Sequence, residues 1–142
     1  MEKIIIGREY PTVINELVKN AKHSIKILIY DWRWYSSDVG STIQKFNNEI
    51  IAATRRGVDV QALVNSDFIA KPLEGCKISV KKINSKKVMH VKMVIIDSKY
   101  LLIGSHNLTK NAFALNHEIS ALIEDVEAIK KCEDFFANIC RL

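Results

Sequence analysis

A histidine and a lysine stand two residues apart inside an otherwise apolar stretch, at His90 and Lys92. Val91, Met93 and Ile95 alternate with His90, Lys92 and Val94, as in a strand, so His90 and Lys92 are predicted to project from one face. Burying both groups without partners would be costly. The spacing therefore indicates a site for an anion. The imidazole of a histidine can serve there as a nucleophile.

The apolar stretch passes through a polar turn at 97–99 into a second predicted strand, which ends in Gly104-Ser105-His106-Asn107. Ser105 and Asn107 are two residues apart, so we expect their side chains to face the same way. Breaking a phosphodiester requires a nucleophile and donors for the charge on the phosphoryl oxygens. Lys92 would supply a fixed positive charge and Asn107 an amide hydrogen bond.

The pattern His-x-Lys-x4-Asp, here ending at Asp97, followed by Gly-Ser-x-Asn resembles the signature of the phospholipase D superfamily, a group of phosphodiesterases. The resemblance extends upstream to 53–60 and downstream to Asn116-His117-Glu118. It departs at Asn65, where the corresponding strand of the family often ends in aspartate. We predict no catalytic role for that residue.

The motif suggests a role for each of its side chains. His90 is the expected nucleophile, and Glu118 is a candidate to accept the other ring N–H of His90 and so fix its tautomer. Ser105 is expected to face the substrate. Asp97 lies at the predicted hairpin turn, where it would stabilise the turn rather than touch substrate, and Gly104 is a motif position.

A metal site is the alternative chemistry, because three histidines, His90, His106 and His117, fall within 28 residues. No pair of them has the i,i+4 spacing of a helical zinc site, and Lys92 would repel a cation. His106 and His117 occupy variable positions of the signature. The sequence therefore predicts no metal and no other cofactor.

Two further features could bind substrate. Residues 75–96 contain no acidic residue but six lysines. Four of these, Lys81, Lys82, Lys86 and Lys87, could guide a nucleic-acid backbone toward the site, or they could form a solvated edge. In the loop at 31–37, Trp32 and Arg33 could stack on bases, or the loop could pack internally or contact a second chain.

The composition limits the class of protein. A chain of 142 residues with 48% apolar and 26% charged residues fits one globular domain, 1–142, and the net charge of +5 favours polyanionic partners. There is no apolar run of about 18 residues, which a membrane span needs. No signal peptide is evident, and the three cysteines lack CxxC spacing. These features predict a cytoplasmic protein without a transmembrane segment.

The order β-α-β-α-β-β-β-β-α predicts an α/β fold, with a mixed central β-sheet and helices on both faces. Residues 65–75 are expected to be a loop with at most one helical turn, and 106–116 to be irregular. The resemblance implies the same phospholipase D-like sandwich.

The family's mechanism uses two histidines, one from each of two motif copies, and this chain holds one copy. The resemblance therefore implies a homodimer whose two-fold axis completes one site. The predicted function is a metal-independent, low-specificity endonuclease that cleaves DNA or RNA through a phosphohistidine. The alternatives are a phospholipid-cleaving enzyme and a catalytically silent nucleic-acid-binding module.

Overall fold

The computed structural model describes residues 2–142 and contains one seven-stranded sheet in the order β1-β7-β6-β5-β2-β3-β4. The elements are β1 (Glu2–Ile6), α1 (Glu9–Lys19), β2 (Ser24–Ile29), α2 (Thr42–Arg55), β3 (Asp59–Val64), α3 (Asp67–Gly75), β4 (Ser79–Lys82), β5 (Lys92–Ile96), β6 (Tyr100–Gly104), α4 (Lys110–Ala114), β7 (Ile119–Ile123) and α5 (Val126–Cys140). Strands β2, β3 and β4 run parallel, and every other pair is antiparallel. The predicted mixed α/β sheet is confirmed.

Two apolar cores lie on opposite faces of the sheet, because strand side chains alternate between faces. Ile25 and Ile27 of β2 belong to the core beneath α1 to α4, whereas Leu28 belongs to the core beneath α5. The predicted placement of helices on both faces is therefore confirmed. None of the helices within residues 2–142 is long and apolar enough to span a bilayer.

Two helices occupy segments that were expected to be loops. The nine-residue α3 buries Ile69, Ala70 and Leu73 against the larger core, and this tertiary burial outweighs the local effect of Pro72. The short α4 begins where the side chain of Thr109 accepts a hydrogen bond from a backbone N–H. Both expectations were wrong because burial, not local propensity, sets these elements.

The strand that carries the motif is shorter than expected. β5 begins at Lys92, so His90 lies in the irregular segment that precedes it rather than within a strand. The Tyr30 N–H still donates to the Val91 carbonyl at 2.9 Å, which continues the β2–β5 contact by one bond. His90 is therefore positioned by its neighbours and not by a strand register.

The turn between β5 and β6 is held by the Asp97 carboxylate, which accepts hydrogen bonds from the backbone N–H groups of Lys22, His23 and Ser24 at 2.7–3.2 Å. Asp97 and Ser98 have positive φ angles of 56° and 51°. Partial burial raises the pKa of Asp97, but the backbone hydrogen bonds outweigh it and the net pKa lies below the usual value. The residue thus joins the hairpin to the start of β2, about 16 Å along β5 from Lys92 at the other end of the strand.

Replacing Asp97 with Ala should lower the free energy of unfolding by about 2 kcal/mol at pH 7, since several backbone donors lose a charged acceptor. A carboxyl whose pKa is lowered by folding stabilises the protein above its unfolded pKa, and this contribution disappears as pH falls through the folded pKa. The stability difference from wild type should therefore narrow below about pH 4. Urea titrations at several pH values would measure it, with exposed Asp134→Ala as the control. A difference independent of pH would contradict the assignment.

Candidate active site

The motif side chains gather at one edge of the sheet. β2 and β3 are parallel and end at this edge, β5 runs antiparallel to β2 and begins there, and β6 ends there. The carboxyl ends of three strands and the amino end of a fourth therefore surround one open area. His90, Lys92 and Asn107 all belong to segments that meet at this area.

The His90 imidazole is exposed and contacts two side chains. The Lys92 Nζ atom lies 3.0 Å from Nδ1 and 3.4 Å from Nε2 of His90. The Tyr30 ring is 4.5 Å from the imidazole, centroid to centroid, and the Lys92 ammonium lies 5.4 Å from the Tyr30 centroid. Tyr30 thus supports both groups, through a ring contact and a cation–π contact. Sequence reasoning missed Tyr30, although it directly follows β2.

The Asn107 amide is held in a fixed orientation. Its Oδ1 atom accepts the backbone N–H of Asp31 at 3.1 Å. The Leu108 N–H donates to the Asp31 carbonyl, and the Arg33 N–H donates to the Leu108 carbonyl, both at 3.0 Å. Among residues 2–142, no acceptor is bonded to the Asn107 Nδ2 group, which remains available to a phosphoryl oxygen.

Glu118 and Ser105 bond to each other. The Ser105 hydroxyl donates to Glu118 Oε1 at 2.5 Å and accepts the Ile119 N–H at 3.0 Å, while the Asn116 amide donates to Glu118 Oε2 at 3.0 Å. The predicted hydrogen bond from His90 to Glu118 is therefore not formed within the chain. The expected substrate-facing role of Ser105 is also not supported, because its hydroxyl already bonds two protein groups.

Gly104 is required by close packing of β6 against β7. A methyl group at this position would overlap the Cα and Oγ atoms of Ser120. The same Ser120 hydroxyl lies 2.7 Å from Nδ1 of His106, whose ring stacks on Tyr10 at 4.2 Å and is 1% exposed. Burial lowers the pKa of His106, so this ring is a neutral core group. His117 is exposed, and we assign it no role in the site.

The four lysines that were predicted to guide nucleic acid fall into two pairs with different surroundings. The Lys81 ammonium donates to the Cys140 carbonyl at the end of α5, and Lys82 pairs with Asp67 at 3.5 Å. This contact of Lys81 with a helix C-terminus does not support its predicted substrate role, which stays a prediction. Lys86 and Lys87 are exposed in the segment that leads to His90.

The loop at 31–37 packs its Trp32 side chain against the protein interior. Trp32 is 4% exposed, and its indole N–H donates to Asn47 Oδ1 of α2 at 2.7 Å, so the predicted base-stacking role is wrong. The Asn47 amide donates to the Arg33 carbonyl at 3.0 Å. The exposed Arg33 guanidinium pairs with Asp31 at 3.0 Å. The buried amide of α2 thereby holds the loop that supports Asn107.

Asn65 joins two segments of the site. Its Nδ2 group donates to the carbonyls of Tyr30 and Met89, each at 3.0 Å. One carbonyl directly follows β2 and the other directly precedes His90. This amide therefore fixes the position of His90 relative to the sheet. Sequence reasoning noted Asn65 only as a departure from the family pattern.

No three His, Cys, Asp or Glu side chains among residues 2–142 lie close enough together to hold a metal ion. The four groups that surround the open edge are an imidazole, an ammonium, a phenol ring and an amide, belonging to His90, Lys92, Tyr30 and Asn107. These groups are suited to a phosphate, because they supply positive charge and N–H donors with no opposing carboxylate in contact.

Replacing Asn65 with Asp should lower kcat by roughly tenfold with little change in KM. The near-isosteric change removes both donors and places a carboxylate against two carbonyl oxygens, so His90 loses its fixed position while the phosphate donors remain. Steady-state kinetics and circular dichroism would check this. Asn48→Asp, at an exposed position of α2, is the matched control. Unchanged kcat in a folded Asn65→Asp protein would remove the positioning role.

The sequence relatives define the family. A family model described as "Cardiolipin synthase, PLD-like domain" matches residues 14–140. A probable cardiolipin synthase, YwiE of Bacillus subtilis, is 26% identical over 134 residues, covering 85% of this chain and 25% of the relative. The mitochondrial cardiolipin hydrolase of Xenopus laevis is 29% identical over 91 residues, covering 60% of this chain and 43% of the relative. The chain thus matches less than half the length of these relatives.

Solved structures share the fold. Nuc from Salmonella typhimurium, a phospholipase D family member, superposes with a TM-score of 0.83 at 19% identity, covering 99% of this chain and 95% of Nuc. NucT from Helicobacter pylori superposes with a TM-score of 0.79 at 20% identity, covering 99% of this chain and 96% of NucT. TrmBL2, an archaeal chromatin protein, superposes with a TM-score of 0.65 at 17% identity, covering 99% of this chain and 52% of TrmBL2.

These matches and the site together define the class of protein. The chain belongs to the phospholipase D superfamily, whose members act on phosphodiester bonds. The recognition made from the motif is confirmed.

Proposed function

We propose that this protein is a metal-independent phosphodiesterase that acts as a homodimer and cleaves DNA or RNA with little sequence preference. The observation that carries the proposal is the contact of His90 with Lys92 and Tyr30 beside the free amide of Asn107. This group of side chains combines a nucleophile with two phosphate donors at an open edge. An open edge accommodates a polymer, which must pass through the site rather than end in it.

The reaction proceeds in two steps. A ring nitrogen of His90 attacks phosphorus, a P–N bond forms, and the P–O bond to the leaving group breaks. The leaving oxygen takes a proton from His90 of the second copy, which is an imidazolium at that moment. That second imidazole then takes a proton from water, whose oxygen attacks phosphorus; a P–O bond forms, and the P–N bond breaks to release free His90. Lys92 and Asn107 stabilise the charge on the phosphoryl oxygens in both steps.

An apolar strip beside the site supports the homodimer. Ile6 of β1 and Ile119 of β7 are paired across the sheet and are 58% and 55% exposed, and Ile4 on the same face is also 58% exposed. Neighbouring apolar side chains exposed on one sheet face favour a partner surface. Ile119 directly follows Glu118. A second copy that covers this strip would bring its own motif to the same site.

A polyanionic substrate agrees with the charge of the protein. The net charge is +5, and the exposed Lys86 and Lys87 lie on the segment that leads to His90. TrmBL2, a structural neighbour, is a chromatin protein that binds DNA. These features favour nucleic acid over a small phosphodiester.

A phospholipid is the second candidate substrate, and one observation favours it. Val39, Val88 and Leu115 are 67%, 75% and 70% exposed, and all three lie in segments at the same edge as His90. Exposed aliphatic side chains around a site can enter the apolar part of a lipid surface. Both curated relatives carry cardiolipin in their names.

The proposed activity predicts cleavage of single-stranded oligonucleotides in the presence of EDTA, because the chain supplies the nucleophile and the phosphate charges itself. The assay would compare oligonucleotides with anionic phospholipid vesicles, and His90→Ala is the inactive control. Loss of cleavage in EDTA with recovery in Mg²⁺ would contradict the mechanism. Cleavage of the phospholipid alone would establish the second candidate. Nucleic-acid binding without any cleavage would establish a silent binding module.

Replacing Lys86 and Lys87 together with Ala should raise KM for long single-stranded DNA and reduce the slope of log affinity against log salt by about 1.4, which is about 0.7 per lost phosphate contact. A small phosphodiester should be cleaved as before, because these lysines do not touch the reacting phosphate. The double change Lys130→Ala and Lys131→Ala on α5 removes the same charge away from the site. An equal effect of the two double changes would assign the loss to net charge alone.

A further inference from the structure

We infer that the pocket beside His90, lined by residues 30–33, Asn65, Ser66 and Phe68, binds one base of the nucleic-acid substrate, with the Phe68 ring as its stacking platform. The cavity has a volume of about 330 Å³. The inference rests on the proposed nuclease function and adds a subsite to it. We call this cavity the Phe68 pocket.

The Phe68 ring is scarcely buried by the rest of the described chain. It is 94% exposed, the highest value among the large apolar side chains that are exposed in residues 2–142. It is the second residue of α3, and the apolar face of that helix is made by Ile69, Ala70 and Leu73. A fully exposed phenyl ring at the mouth of a cavity presents both of its faces to a flat ligand. Stacking of a base on such a ring tolerates every base, which agrees with low sequence preference.

The polar groups of the Phe68 pocket favour a heterocycle over a lipid chain. The Arg33 guanidinium is fixed by its ion pair with Asp31 at 3.0 Å, and within the described chain the Ser66 hydroxyl makes no cap hydrogen bond to α3. A hydrocarbon chain in this cavity would cover these groups without bonding them. A base can stack on Phe68 while its edge bonds the charged and hydroxyl groups.

The Phe68 pocket also adjoins the reacting phosphate. Tyr30 lines the pocket and contacts the His90 ring at 4.5 Å. Asn65 lines it as well and bonds the carbonyl that directly precedes His90. A phosphodiester held at His90 therefore carries a neighbouring nucleoside toward this cavity. The pocket then binds any base next to the scissile bond and does not distinguish one base from another.

The test is a cleavage profile resolved at every bond of a single-stranded oligonucleotide that contains one abasic nucleotide. Wild-type protein should cut roughly tenfold more slowly at the bond whose base would occupy the pocket, a factor within the range of one stacked base. Phe68→Ala should cut all bonds at this reduced rate and show no local minimum. Phe68→Trp should restore the minimum, and Phe135→Ala, an exposed phenylalanine on α5, should leave the profile as in wild type.

Several outcomes would overturn the inference. A wild-type profile without a minimum, or a minimum that persists in Phe68→Ala, removes the base subsite while the nuclease function stands. If Phe68→Ala leaves cleavage unchanged but reduces co-sedimentation with phosphatidylglycerol vesicles, Phe68 contacts lipid instead. If wild-type protein cleaves a phospholipid and no oligonucleotide, the proposed function and the inference are both wrong.

Discussion

The direction of β5 is the constraint on which the site depends. β5 lies between β2 and β6 and runs antiparallel to both, so its amino end meets the carboxyl ends of its two neighbours. The polar residues that precede or begin β5 therefore lie beside the residues that end β2 and β6. Reversing β5 would carry His90 and Lys92 to the opposite edge, away from Asn107. The Asp97 carboxylate bonds the start of β2 and holds the turn at that opposite edge.

The site itself is fixed by hydrogen bonds to the backbone at the ends of strands. Asn65 bonds one carbonyl that directly follows β2 and one that directly precedes His90. Asn47 bonds the loop that carries Asp31, whose N–H orients Asn107. These amides replace the regular hydrogen bonds that the backbone loses where the sheet stops. Such bonds hold the segments that carry His90 and Asn107 in place.

Much of the fold could be predicted from the sequence because the strand signals are strong. Alternating isoleucines mark β2, and the polar turn after β5 marks the hairpin. α3 and α4 could not be predicted, since α3 contains Pro72 and α4 is only five residues long. Both are stabilised by burial against residues that are distant in sequence. The start of β5 at Lys92, two residues after His90, also follows from tertiary contacts.

The candidate site could be predicted in part. The types and spacing of His90, Lys92 and Asn107 indicate phosphate chemistry by themselves. The roles of Tyr30 and Asn65 depend on neighbours 60 and 24 residues away along the chain, such as His90 and Met89, so no local pattern reveals them. The assignment of Trp32 was wrong because composition does not tell which side of a loop packs inward.

Each chain holds one copy of His90, whereas the proposed two-step chemistry uses an attacking histidine and a protonating one. The most direct measurement is the activity of a mixed dimer, made by co-expressing differently tagged wild-type and His90→Ala chains and purifying the dimer that carries both tags. A shared site predicts no phosphodiesterase activity in this species, and random co-assembly of equal amounts should leave about one quarter of the wild-type activity per chain. Substantial activity in the purified mixed dimer, or a fully active monomer in solution, would contradict the shared site.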